Sequence, residues 1–178
     1  MLKITVPESR IWNPNTEEFM LVKETTLVLE HSLVSLSKWE MKYKKPFLNQ
    51  KLTSEEIDDY IRCMTLTQNV NPMVYYVITP GIRNQVRDYM EDPMTAAVVR
   101  EDPQSPRSTK FVTSDLIYYW MVALQIPFDP CQKWHLNRLL TLIKITNIEQ
   151  KPKKQQNPAE IARQHHAINA ARRAGKKR

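Results

Sequence analysis

The groupings nearest to a metal or catalytic site are His165-His166 and the pair Cys131/His135. Adjacent residues on a helix point about 100° apart, so His165 and His166 cannot grip one ion as ligands at i and i+4 do. Cys131 and His135 do have that spacing, but a structural zinc site takes four ligands and no second Cys/His cluster completes one. As a nucleophile pair they would lack an orienting group. Glu55, Glu56, Asp58 and Asp59 stand together, yet they open a helical pattern, where acidic side chains suit the positive end of the helix dipole. No serine lies in a strand–turn–helix elbow. The two glycines, Gly81 and Gly175, are far apart, which excludes glycine-rich phosphate loops and dinucleotide fingerprints. The residues thus point away from an enzyme, and to no metal and no cofactor.

Two other groupings suit binding. Aromatic residues concentrate at Tyr75-Tyr76, Tyr118-Tyr119-Trp120, Phe128 and Trp134. No Lys or Arg interrupts residues 112–132, unlike the interleaving that a stacking surface for single-stranded nucleic acid uses. These aromatics read first as core. Those left at the surface would form a partner-binding patch, for which the candidates are Tyr118, Tyr119, Trp120, Trp134, His135 and Arg138. Charge forms the other grouping. The chain has 178 residues and a formal net charge of +7. Residues 149–178 hold nine Lys/Arg against two Asp/Glu, leaving 17 of each sign in residues 1–148. The body is therefore neutral, and the excess sits in an arm carrying Lys151, Lys153, Lys154, Arg163, Arg172, Arg173, Lys176, Lys177 and Arg178. Nucleic acid could be met only through that arm.

The elements that must position these residues follow from periodicity and punctuation. Lys3–Val6, Phe19–Val22 and Thr25–Leu29 read as strands of a small antiparallel piece, with a turn signal at Asn13-Pro14-Asn15. Ser32 to Tyr43 is helical, with Ser32 or Ser35 as cap and Pro46 ending the segment. Thr53 to Thr67 is a helix opened by a capping box, Thr53 with Glu56. Pro72 to Glu91 holds a short turn of helix and a longer one starting at Pro80. Ala96–Val99 and Lys110–Val112 flank a Pro-containing loop and predict a β-hairpin. Helices over 114–124 and from Pro130 to Lys144 or a turn beyond, the second with Leu136, Leu139, Leu140 and Ile143 as one stripe, should form an αα-hairpin at the centre of the core. A polar linker at 149–157 leads to a weakly apolar helical arm with Gly175 at its C-cap. The expected fold is α+β and mostly α-helical, with a body over 1–148 and an arm over 149–178.

Cys63 and Cys131 read as reduced thiols. No apolar segment reaches the roughly 20 residues of a membrane span, and the N-terminus lacks the apolar core of a signal peptide. A soluble intracellular protein is expected, with no membrane partner.

The strings Glu30-His31-Ser32-Leu33-Val34-Ser35-Leu36-Ser37-Lys38-Trp39-Glu40, Lys45-Pro46-Phe47, Tyr118-Tyr119-Trp120-Met121, Ile126-Pro127-Phe128, Cys131 through Ile143 and Ala170-Ala171-Arg172-Arg173 resemble those of a group of small proteins of long-tailed bacteriophages, the tail assembly chaperones. The resemblance spans most of the chain. It implies a non-enzymatic factor that binds the tape-measure protein, recruits tail-tube subunits and works in the cytoplasm of the infected bacterial host. Self-association fits such a factor. The opposing expectation is a nucleic-acid-binding phage protein acting through the basic arm.

Overall fold

The computed structural model describes residues 1–13, 17–97 and 111–150, together with Arg163, His166 and Ile168. Met1–Asn147 forms one compact unit and Ile148–Arg178 a second. The fold is mostly helical α+β, as the sequence leads one to expect.

Four strands open the chain: β1 (Leu2–Val6), β2 (Ser9–Asn13), β3 (Glu18–Val22) and β4 (Thr25–Leu29). β1 pairs antiparallel with β4, Leu2 opposite Leu29 and Val6 opposite Thr25. β2 pairs with β3, Ser9 opposite Val22 and Trp12 opposite Phe19. The register is the same in both ladders, so the strands form one long hairpin interrupted at Pro7, which has no N–H to donate, and opposite it at Lys23-Glu24. β2 is an addition to the three strands expected. Alternation puts Ile4, Val6, Leu27 and Leu29 into the core from one face of the β1–β4 ladder.

α1 (Leu33–Tyr43) and α2 (Ser54–Met64) follow. Both begin at capping boxes, Ser32 with Ser35 and Thr53 with Glu56. α2 stops at Met64 rather than running to Thr67, because the chain beyond it pairs with the end of β4. The Leu66 N–H donates to the Val28 carbonyl at 2.8 Å, and the Glu30 N–H to Met64 at 3.0 Å. The acidic run at the start of α2 is used in ion pairs: Glu56 with Lys45, Asp59 with Lys42, and Asp58 in a two-pronged bond to Arg83 at 2.7 Å. A 3-10 helix (Pro72–Val77) and α3 (Pro80–Glu91), capped by Thr79, complete this half.

α4 (Ser114–Ala123), a single turn α5 (Phe128–Cys131) and α6 (Leu136–Gln150) make up the rest. The second helix of the expected αα-hairpin starts at Leu136, not Pro130. Asp129 is extended at φ −97°, ψ 127°, and the Leu136 N–H is claimed by the His31 carbonyl at 2.7 Å. His135 forms a strand-like bridge to Ser32. This tertiary pairing overrides local helix propensity, and His135 becomes the residue before the helix. α4 rests chiefly on α1. The core is therefore centred on α1 and α2, with Leu33, Leu36, Trp39, Tyr60, Ile61 and Met64 interior, while Ile117, Met121, Leu136 and Leu139 close it from the other side. The expected β-hairpin falls mostly on residues outside those described; its described margins, Ala96, Ala97, Phe111 and Val112, are not in strands.

Leu139 is fully buried and Leu140 half-buried. Leu139→Ala should cost about 2–5 kcal/mol in urea unfolding, and Leu140→Ala about 1–2 kcal/mol. Equal costs would contradict this placement. Glu40 ties two distant segments together. Its Oε1 accepts from the Phe47 N–H at 3.0 Å, and its Oε2 accepts from the Ser114 N–H at 2.7 Å and the Ser114 hydroxyl at 2.6 Å. The carboxylate thus sits at the N-terminus of α4. Glu40→Ala strands three donors and should cost roughly 2–3 kcal/mol, read as a lower urea midpoint with unchanged slope.

Candidate functional site

α4 carries an almost wholly apolar sequence through Leu116–Leu124, which leaves apolar side chains on the faces not packed on α1. Tyr119 is 65% exposed and Val122 63%. Trp120 is half-buried and forms one wall of a cleft of about 960 Å³, with Ala123 and Leu124 beside it and Leu140, Ile143 and Asn147 of α6 opposite. The sequence pattern places Leu140 on the same stripe as Leu139. Its half-burial is explained by this cleft, which the stripe alone could not reveal.

The other expected partner-binding residues separate into distinct settings. Tyr118 is half-buried, its hydroxyl donating to Gln132 Oε1 at 3.3 Å and its ring edge-on to Phe128 at 5.5 Å. Trp134 is covered by the Arg138 guanidinium, 4.3 Å from the ring centre. That pair is a candidate contact of its own. His135 is not a surface residue, which corrects its place in the expected patch. It is 7% exposed; its Nε2 lies 3.0 Å from the Tyr89 carbonyl, and its Nδ1 accepts the Asn137 N–H at 3.3 Å. The two bonds set its tautomer, Nε2–H donating. Of the arm, Arg163 is helical and exposed. Lys151, Lys153, Lys154, Arg172, Arg173, Lys176, Lys177 and Arg178 lie outside the described residues.

Two features escaped the sequence reading. One is the outer face of the β2–β3 hairpin, where Trp12, Phe19 and Leu21 are 50%, 68% and 50% exposed and the first two rings meet edge-on at 5.1 Å. Pairing Trp12 with Phe19 required the register, which only recognition of β2 supplies. The other is a buried polar centre. His31 Nδ1 is 2.6 Å from the Tyr60 hydroxyl, and the His31 and His135 rings lie 5.2 Å apart. The Tyr89 hydroxyl donates to Glu30 Oε1 at 2.8 Å, and the N-terminal amine is 3.1 Å from Glu30 Oε2. Burial, aided by the neighbouring His135, holds the His31 imidazole down at about 3. Burial likewise lowers His135, and raises the Tyr60 and Tyr89 phenols. Both histidines are therefore neutral at physiological pH. No signal in the pattern of residues 28–36 marks His31 as interior, because its burial depends on α2, α3 and residue 135.

Among the described residues, no three or more His, Cys, Asp or Glu side chains are grouped to hold a metal ion, and no helix is long and apolar enough to cross a membrane. Cys63 and Cys131 are free thiols. No protein-family model, curated protein or solved structure matches the chain.

Proposed function

We propose that the protein is a non-enzymatic binding factor that seats an amphipathic helix of a partner in the α4–α6 cleft, in the manner of a phage tail assembly chaperone holding a helix-rich tape-measure protein and recruiting tail-tube subunits. The observation that carries this reading is the cleft itself. It has apolar walls from Trp120, Leu124, Leu140 and Ile143, and Tyr119 and Val122 stand exposed on the helix that forms one side. Apolar anchors repeating at i, i+3, i+4 and i+7 on a helix are what such a groove receives. The polar groups along it, Asn137, Thr141 and Asn147, can meet the partner's backbone or polar edge.

The test is binding of the full chain to tape-measure segments, wild type against Tyr119→Asp/Val122→Asp and Trp120→Ala. The first pair is exposed, so its effect on stability should stay within about 0.5 kcal/mol. Affinity should fall by at least about tenfold in each. Unchanged affinity in both would remove the cleft from the account.

The confinement of the net charge to residues 149–178 favours a second reading, nucleic-acid binding through the arm. Salt separates the two. Arm–phosphate binding weakens steeply with salt, by a logarithmic slope near the number of phosphates contacted, whereas binding in an apolar cleft does not.

A further inference from the structure

α6 is one continuous helix from Leu136 to Gln150, and it has three sides of different character. Leu136, Leu139 and Ile143 are buried in the core. Leu140, Lys144 and Asn147 line the α4–α6 cleft. The remaining side carries Arg138, Leu142, Ile145 and Glu149, spaced four, three and four residues apart. At about 100° per residue these four fall within roughly 60° of one another. None of them lines the cleft. Arg138 and Glu149 are exposed, Ile145 is 37% exposed and Leu142 is half-buried. Ile148, 50% exposed, lies beside the stripe.

Alternation of four and three is the spacing of a coiled-coil seam, the side that a helix turns to a second helix. This seam is apolar at its middle and charged at its ends, Arg138 at one and Glu149 at the other, about 16 Å apart along the axis. Neither of the two forms an ion pair among the described residues. The Arg138 guanidinium is held 4.3 Å from the centre of the Trp134 ring, which limits the freedom it must lose on docking.

Such a stripe is complementary to its own reverse. Two copies laid antiparallel about a two-fold axis midway between Leu142 and Ile145 set Leu142 against Ile145 of the second copy, and Ile145 against its Leu142. The same axis sets Arg138 against Glu149 of the second copy, and Glu149 against its Arg138. Both ends are then matched, as a self-complementary two-fold interface requires. Parallel pairing would set Arg138 against Arg138 and Glu149 against Glu149, so the charges select the antiparallel orientation.

We infer that α6 docks antiparallel on α6 of a second copy of this chain, through a Leu142/Ile145 centre and two reciprocal Arg138–Glu149 ion pairs. The contact is shorter than the interfaces that bury about 800 Å² per partner, so the dimer is a weak one that dissociates on dilution. It uses a different side of α6 from the cleft, and its failure would leave the partner-binding reading standing.

The full chain, with no partner protein present, is measured by sedimentation equilibrium from about 5 to 500 µM, the range in which a weak interface is half-formed. The wild type should show a monomer–dimer equilibrium. Arg138→Glu and Glu149→Arg each replace both ion pairs by like-charge contacts, and each should weaken the dimer by at least about tenfold. Arg138→Glu/Glu149→Arg should restore it. A mixture of the two single variants should also dimerise, because each chain supplies the charge that the other lacks, and no effect within one chain produces that result. Ile145→Asp should be folded and monomeric, and it provides the control if Arg138→Glu, which loses its place on Trp134, does not fold. A wild type that stays monomeric, a dimer that folded Ile145→Asp or both charge reversals leave intact, or single variants that stay monomeric when mixed would each overturn the assignment.

Discussion

Trp39→Ala is expected to lower stability by about 3–5 kcal/mol, the cost of deleting a large core aromatic. The indole is fully buried at the junction of α1, α2 and the following connection. It stacks on Tyr43 at 4.4 Å and meets Phe47 edge-on at 5.0 Å, and its Nε1 donates to the Glu56 carbonyl at 3.1 Å. Truncation leaves a cavity and also strips that carbonyl of a donor. Trp39→Phe keeps most of the volume and loses only the N–H, so it should cost roughly half as much. Urea unfolding at pH 7 measures both. A loss below about 1 kcal/mol in the alanine variant would contradict the placement of the core on α1 and α2.

The second large effect is a loss of stability in acid. In the unfolded chain His31 titrates near its ordinary 6.5, while in the fold it is held at about 3. Between those values the unfolded state binds a proton that the folded state refuses. This contribution is fully present above pH 6.5 and is lost as pH falls towards 3. The slope is about 1.4 kcal/mol per pH unit, so the deficit approaches about 4–5 kcal/mol near pH 3. His135, also lowered by burial, acts in the same direction. The surroundings offer the imidazolium little compensation: the Tyr60 hydroxyl is a poor partner for a cation, the His135 ring would repel it, and the nearby Glu30 carboxylate is bonded to Tyr89 and the N-terminal amine. Unfolding free energies measured from pH 7 to 4 should fall along this slope for the wild type and less steeply for His31→Gln. Identical pH profiles would show that His31 is not the responsible group.

Elements with strong local signals were legible in the sequence. Thr53/Glu56 and Ser32/Ser35 cap α2 and α1, and Thr79-Pro80 opens α3, because capping is decided within four residues. The start of α6 was not legible, since it is set by the His31 carbonyl, more than 100 positions away, capturing the Leu136 N–H. The end of α2 was missed for a similar reason, the pairing of Thr65 and Leu66 with β4. The aromatic run at 118–120 reads first as core, but Tyr118 and Trp120 are only partly buried and Tyr119 is exposed. Which member faces where followed from the packing of α4 on α1, and so Tyr119 stands out while Trp120 turns into the cleft. The expected helix begins six residues too early, at Pro130 instead of Leu136, which puts His135 inside a helix and not in the bridge to Ser32 that buries it.

The most direct test of the central proposal is co-expression of the full chain with the tape-measure protein of a long-tailed phage, followed by measurement of the soluble fraction of that protein. The wild-type chain should raise that fraction and remain bound after purification in high salt, and Tyr119→Asp/Val122→Asp should do neither. An unchanged soluble fraction, with the chain instead binding DNA or RNA along a steep salt slope that vanishes when residues 151–178 are deleted, would contradict it.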